Sequence, residues 1–267
     1  MTKRIAIDAG HGLRTAGKQT PDGIKEWTLN DKVRDKVVAM LVDYDVEFIF
    51  PDKNEGYTDE ALKTRRTMYV KEKVDAAVSI HHNAFKGIWG TATGVSVYID
   101  RNATAADKEL ANLIYARLPG YTGLRGRGIN KANFTVINQN TVPAVLVEGG
   151  FMDTKKDYAV ITSDAGQTGY AKAVAEALIV FLDLEKKDAS ETKTTTTTVN
   201  DSIFKVKFKE DMNVRKGAGT KYAKVTVAKK NYVYTIVKTK NVNGTPWGKL
   251  KSGAGWVSIA SKYCTRV

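Results

Sequence analysis

The stretch "RIAIDAGHG", residues 4–12, sets an apolar, β-rich run directly against a histidine flanked by glycines. Glycine lets the backbone turn sharply and leaves space beside it, so Gly10 and Gly12 place His11 in a tight turn at the end of a strand. Two further apolar runs also end against residues able to do chemistry: "AAVSI" (76–80) runs into "HHNA", and "PAVLV" (143–147) runs into "EGGF". Helical spacing lies between these strands. Leu29, Val33, Val37, Met40, Leu41 and Tyr44 form one apolar stripe, and Tyr170, Val174, Ala177, Leu178, Phe181 and Leu182 form another. Residues 58–73 read as a helix opened by Thr58, and residues 104–118 as one capped by Thr104. "VEFIF" (46–50), stopped by Pro51, and "GVSVYI" (94–99) are further strands. This alternation predicts an α/β fold with a mostly parallel twisted sheet flanked by helices.

Beyond residue 184 the character changes. "EKKDASETKTTTTTVND" (185–201) has no apolar periodicity and includes five consecutive threonines, Thr194 to Thr198, which predicts a flexible linker. Downstream, "FKVKFK", "KVTVA" and "YVYTIV" are strand patterns, with turns at "VNGTPWG" and "KSGAG". A small all-β barrel over 202–267 is expected.

Charge divides at the same place. Residues 201–267 hold 15 Lys+Arg against three acids, a net of +12, which leaves +1 of the total +13 for residues 1–200. So basic a segment should be drawn to a polyanion: nucleic acid, an anionic membrane or an anionic wall polymer. No helix-turn-helix, zinc finger or RNP-type aromatic motif supports nucleic acid. No apolar run reaches ~18 residues, so no membrane insertion is expected. The start, "MTKRIAIDAG", has too short an apolar run for a signal peptide, which predicts synthesis in the cytoplasm without a leader. Cys264 is the only cysteine, excluding an intrachain disulfide and a cysteine-based zinc site.

In open α/β sheets, ligands sit outside the carboxyl ends of the strands. The candidates for chemistry are therefore His11, His81, His82 and Glu148, each following a predicted strand, with Glu26 near the start of the first helix. No other histidine exists in the chain. Two histidines and one glutamate are a common ligand set for catalytic zinc, which keeps a fourth position for water. The metal lowers the pKa of that water towards ~7 and polarises a carbonyl, while a carboxylate outside the ligand set carries the proton. Each residue has a plainer reading: a hydrogen-bonded surface histidine, a Glu26 serving the helix macrodipole, a rim carboxylate at 148. Their convergence on one rim favours a metal hydrolase.

"IAIDAGHG" (5–12), Glu26, "SIHHNA" (79–84) and "PAVLVEGGFMD" (143–153) together resemble the zinc-dependent N-acetylmuramoyl-L-alanine amidases of the type-3 amidase family. "LKTR" (62–65), "GVSVY" (94–98) and "RGINKANFTVI" (127–137) also fit, so the resemblance spans roughly residues 3–184. It implies one Zn2+ held by His11, Glu26 and His81, with Glu148 as the catalytic carboxylate. The implied reaction is hydrolysis of the amide between the muramic acid lactyl group and L-alanine of the peptidoglycan stem. The family pattern, Ser-Ile-His-any-Asn-Ala, leaves His82 in the variable place, and neighbouring strand residues point to opposite faces. Arg65 and Asn83 fill family positions with supporting roles. Asp153 departs from the small polar residue or asparagine often found there, which should alter the rim loop and leave the metal site intact.

"MNVRKGAGTKY" (212–222) and "WGKLKSGAGWVSIASKY" (247–263) resemble a bacterial SH3-like cell-wall-binding domain. At least one of Trp247 and Trp256 is expected in its core. The combined expectation is a catalytic domain over 1–184, a linker over 185–201 and an SH3-like domain over 202–267. Its partners would be peptidoglycan and anionic wall polymers. A phage endolysin and a bacterial autolysin both fit. The rival readings are a wall-binding protein without activity and a zinc peptidase cutting another wall amide.

Overall fold

The computed structural model describes residues 2–52, 56, 59–138, 141–186 and 204–267. The chain divides into two compact units, Met1–Lys187 and Asp188–Val267. The predicted linker lies outside the described residues from position 187 to 201. Its first two residues pair with the first unit: Asp45 N–H donates to the Glu185 carbonyl at 3.1 Å, and Lys186 bridges Tyr44.

The first unit contains β1 (Lys3–Ala9), α1 (Glu26–Leu41), β2 (Val46–Ile49), α2 (Leu62–Lys71), β3 (Ala76–Asn83) and β4 (Val95–Ile99). It continues with α3 (Ala105–Tyr115), α4 (Leu118–Thr122), β5 (Gly126–Lys131), β6 (Ala144–Phe151), α5 (Lys155–Ile161) and α6 (Asp164–Leu182). Its sheet runs β2-β1-β3-β6-β4-β5. Every pairing is parallel except β4 with β6. A parallel return needs a long crossover, usually helical. The connection from β3 to β4 has no helix, and β4 accordingly runs antiparallel to β6.

Alternate strand residues feed two cores. Ile5, Ile7, Val78, Ile80, Val145 and Val147 pack with residues of α1, α3 and α6. Ala6, Ala77, Ala144 and Leu146 pack on the other face with Tyr69 of α2 and with Val136 and Ile137. This strict alternation is what a pleated strand buried on both faces requires.

Several elements differ from expectation. The β3 strand runs on to Asn83, so both neighbouring histidines lie in it and not after it. The α2 helix starts at Leu62, later than predicted, and Thr58 lies outside the described residues. Three short elements, α4, α5 and β5, were not anticipated; each is seven residues or fewer, too short for a periodic signal. Thr104 does cap α3, forming a capping box with Asp107. Among the described residues no helix is long and apolar enough to cross a membrane.

The second unit is an antiparallel sheet of β7 (Phe204–Phe208), β8 (Met212–Arg215), β9 (Lys224–Ala228), β10 (Val233–Val242), β11 (Thr245–Leu250), β12 (Trp256–Ser258) and β13 (Cys264–Arg266). The order is β13-β7-β10-β11-β12-β8-β9. Asn243 and Gly244 join β10 to β11 with both φ angles positive (49° and 77°), the two-residue hairpin that Asn-Gly favours. Val206, Phe208, Val214, Ile236, Leu250 and Val257 make its core. Trp247 is buried and Trp256 half-buried, so the first of these tryptophans is not displayed. Cys264 packs in this core as a free, buried thiol.

Candidate active site

Strand parity selects the side chains. On β3, Val78, Ile80 and His82 share one face; Ala77, Ser79 and His81 share the other. His82 therefore turns towards α1 and α6. Its Nδ1 lies 2.7 Å from the Asn30 Oδ1 and its ring meets Tyr170 edge-on. His81 faces the opposite way, beside Glu148, its register partner on β6. A bulge follows at once, Asn83 pairing with Phe151, and Gly150 absorbs it with a φ of 131°.

Three elements then converge on His81. The carboxylate of Glu26, the first residue of α1, lies between two imidazoles: Oε1 is 3.1 Å from His81 Nδ1, and Oε2 is 3.3 Å from His11 Nε2. Oε1 also accepts the His82 N–H at 3.2 Å. One ligand atom from each of His11, Glu26 and His81 falls within 4.8 Å of the others, a grouping able to hold a metal ion. His82 is not in that group.

The turn after β1 is held by several contacts. His11 has a left-handed φ of 63°, uncommon for a residue with a side chain. Arg65, fully buried on α2, donates to the Ala9 carbonyl at 2.9 Å and to the His11 carbonyl at 2.7 Å. Asn30 donates to the Gly10 carbonyl at 3.1 Å. Gly10 is needed for space: a Cβ there would overlap the His81 ring, with its Nδ1 only 2.6 Å away.

A second chain of contacts orients His81 from behind. Its Nε2 is 3.1 Å from Ser79 Oγ, which donates to Asp8 Oδ2 at 3.0 Å; Asp8 in turn accepts from Arg65 at 2.5 Å. A proton on Nε2 leaves the Nδ1 lone pair facing Glu26 and His11, the role that outer hydrogen bonds play around metal-binding histidines. Asp8 and Ser79 were not singled out in the sequence. Asp8 closes an apolar strand and Ser79 sits inside one; a polar residue at a core position of a buried strand was the available signal.

Burial is the largest single influence on each of these proton affinities, and at two of them the neighbouring charges together exceed it. It lowers His11 to about 4 against the attraction of Glu26, and lowers His82 to about 4 as well. Burial also disfavours a charged Glu26, but the hydrogen bond and charge of His81, then His11, outweigh it and hold the carboxyl down. Burial opposes the His81 cation too, and the hydrogen bond and charge of Glu26 overcome it, raising that imidazole. Glu148 is pushed up to about 8 by burial, with Glu26 repulsion adding to it against the pull of His81. Its Oε2 is buried with no hydrogen-bond partner among the described residues.

Asp153, on the segment after β6, holds the rim. One carboxylate oxygen accepts the N–H groups of Phe85, Lys86 and Gly87 at 2.7, 2.8 and 2.9 Å. This fixes the loop after β3, which presents Phe85, Ile88 and Trp89 to solvent. Trp89 meets Tyr158 edge-on and lies under the Lys155 ammonium.

The family model for N-acetylmuramoyl-L-alanine amidases matches residues 5–180. The endolysin of Bacillus phage SPP1 is 32% identical over 283 residues, covering 99% of this chain and 98% of that one. The catalytic domain of CwlV, an N-acetylmuramoyl-L-alanine amidase from Bacillus (Paenibacillus) polymyxa var. colistinus, is 30% identical with a TM-score of 0.62. That likeness covers 68% of this chain and 99% of that domain. The N-acetylmuramoyl-L-alanine amidase from Clostridium difficile 630 gives a TM-score of 0.63 at 29% identity, covering 68% of this chain and 97% of that one.

Proposed function

The chain belongs to the N-acetylmuramoyl-L-alanine amidase family and acts as a peptidoglycan amidase, and from that premise we propose that His11, Glu26 and His81 hold one Zn2+ while Glu148 moves the proton. The observation that carries this reading is the grouping of the three ligand atoms within 4.8 Å, with Glu148 in register beside them. Two features fit a divalent cation. The donor set is two imidazoles and a carboxylate, the common catalytic zinc set. The buried Oε2 of Glu148, partnerless among the described residues, faces a cost that a nearby cation or bound water relieves.

When bound, zinc supplies a Lewis acid for the lactyl carbonyl and lowers the pKa of water in the site. The protein does the rest. Ser79 and Asp8 keep the His81 proton on Nε2, and Arg65 and Asn30 hold the turn that carries His11. Glu148 takes a proton from the attacking water and passes it to the nitrogen of the departing alanine. Its raised proton affinity suits the first task, since a more basic carboxylate takes a proton from water more readily and holds it until the alanine nitrogen departs.

Residues 1–184 are the catalytic domain in this reading, and 202–267 an SH3-like wall-targeting domain joined to it by the 185–201 tether. The antiparallel strands, the Asn-Val-Arg pattern at 213–215 and the excess of lysine support that role. Tethering raises the local concentration of the catalytic domain at its insoluble substrate.

Mass spectrometry of digested walls, run with native, chelator-treated and zinc-restored protein, tests the proposal. Release of intact stem peptides beginning with L-alanine, lost on chelation and regained with zinc, is expected. Full activity after exhaustive metal removal would refute the zinc assignment. Cleavage within the peptide would move the bond cut elsewhere.

A further inference from the structure

The second unit has a cleft of about 570 Å3 on the β8, β11 and β12 side of its sheet. Met212, Pro246, Trp247 and Tyr263 give it apolar walls. Ser258, the register partner of Trp247, also lines it, and the Ser258 Oγ is buried with no hydrogen-bond partner among the described residues. A buried hydroxyl left unpaired is destabilising, and a polar ligand in the cleft relieves it.

Charge identifies the kind of ligand. Residues 204–267 contain 15 Lys+Arg and two acids, Glu210 and Asp211. Both acids line this one cleft. Asp211 is taken up by Lys229, at 2.8 Å, and by the Lys230 N–H. Glu210 makes no ion pair or hydrogen bond among the described residues. Lys262 and Arg215 line the same cleft. A phosphodiester polymer would bind the lysine-rich surface elsewhere, because here it would meet the only two acidic side chains among the described residues of this unit. A zwitterionic peptide meets a complementary lining: an ammonium for Glu210, a carboxylate for Lys262, and small side chains for the apolar walls.

Building on the wall-targeting reading, we infer that this cleft binds an uncrosslinked peptidoglycan stem peptide, with Glu210 receiving the free side-chain ammonium of its diamino acid. The amidase and the second unit then recognise the same polymer at different places, and the second unit favours stems whose ammonium is not consumed in a cross-link.

The test uses the full chain and its Glu210→Gln variant. The soluble probe is the stem tetrapeptide L-alanyl-γ-D-glutamyl-L-lysyl-D-alanine, which lacks the lactyl amide and cannot be cleaved there. Calorimetric titration should give saturable binding that weakens about tenfold in Glu210→Gln, the scale of one charge-assisted hydrogen bond. Acetylating the lysyl ammonium of the probe should produce the same loss with native protein and no further loss with the variant. Glu210 is exposed, so the variant keeps its fold, checked by an unchanged melting temperature and unchanged turnover of a soluble muramyl peptide. Equal affinity of the two proteins, or no binding by either, overturns the inference. Sedimentation with walls separates its failure from that of wall targeting. If native protein and variant sediment equally, and only until the walls are stripped of phosphodiester polymer, targeting stands and the cleft plays no part in it. If neither sediments with any wall, targeting itself fails.

Discussion

His81 and Glu148 face each other across β3 and β6 as register partners, on the same side of the sheet. This separates the two roles experimentally, because Glu148 lies outside the three-residue ligand group. Glu148→Ala should keep bound zinc and lose wall lysis, by at least the ~100-fold typical of a lost general acid–base. His11→Ala should lose both. Metal analysis beside a turbidity assay decides it, and lysis retained by Glu148→Ala would remove that residue from the mechanism.

In metal-free protein the stability should depend on pH in a calculable direction. The folded state raises Glu148 from 4.5 to about 8, so it keeps a proton that the unfolded chain has lost, and stability falls as pH rises through that range. His11 and His82, lowered from 6.5 to about 4, act in the opposite sense; their contribution grows between those values and is constant above. From pH 6.5 to 8 the falling contribution of Glu148 remains, joined by that of His81, whose affinity is raised. Across that window Glu148 should cost about 2 kcal/mol, at 1.36 kcal/mol per unit. Denaturant midpoints of the chelated protein read the slope, and Glu148→Gln should flatten it.

Gly10→Ala should damage the site without removing any polar group. Its Cβ would enter the His81 ring, so the imidazole or the turn must move. A displacement of about 1 Å can cost on the order of 100-fold in rate. Reduced zinc content with a largely intact melting temperature is the expected pattern; native zinc content and activity would mean that the turn accommodates the methyl group.

Asp153→Ala should loosen the loop after β3. Three N–H groups lose their shared acceptor, at a cost of about 3 kcal/mol if water replaces it only partly. Hydrogen exchange at Phe85, Lys86 and Gly87 should accelerate, and Asp153→Asn, which retains one acceptor oxygen, should be milder. Unchanged exchange would show that the loop is fixed by other contacts, among them the Gly90 N–H to the Asp153 carbonyl.

Much of this was legible in the sequence. The apolar runs ending at Asp8, Ile80 and Val147 located the strands, and the residues beyond them included His11, His81 and Glu148. Parity indicated that only one of His81 and His82 could face the site, and β3 does stay extended through both; the Ser-Ile-His-any-Asn-Ala pattern made the choice of His81. The reversal of β4 was not legible, since direction depends on which neighbour a strand joins and no local pattern records that. Asp8 and Ser79 escaped notice because their purpose appears only when β1 and β3 lie side by side. Asp153 stood out as a departure, and the three amides it collects belong to a segment some 66 residues earlier.

Arg65 grips the main chain under His11 and, through Asp8 and Ser79, the back of His81. One guanidinium on α2 thus determines the spacing of two imidazoles drawn from opposite ends of a seventy-residue stretch. Under the proposed zinc assignment, little ordering entropy would remain to be lost on binding, so capture should need no refolding. An inherited change in α2, a helix that contributes no atom to the reaction, would be felt first as a weakened grip on the ion.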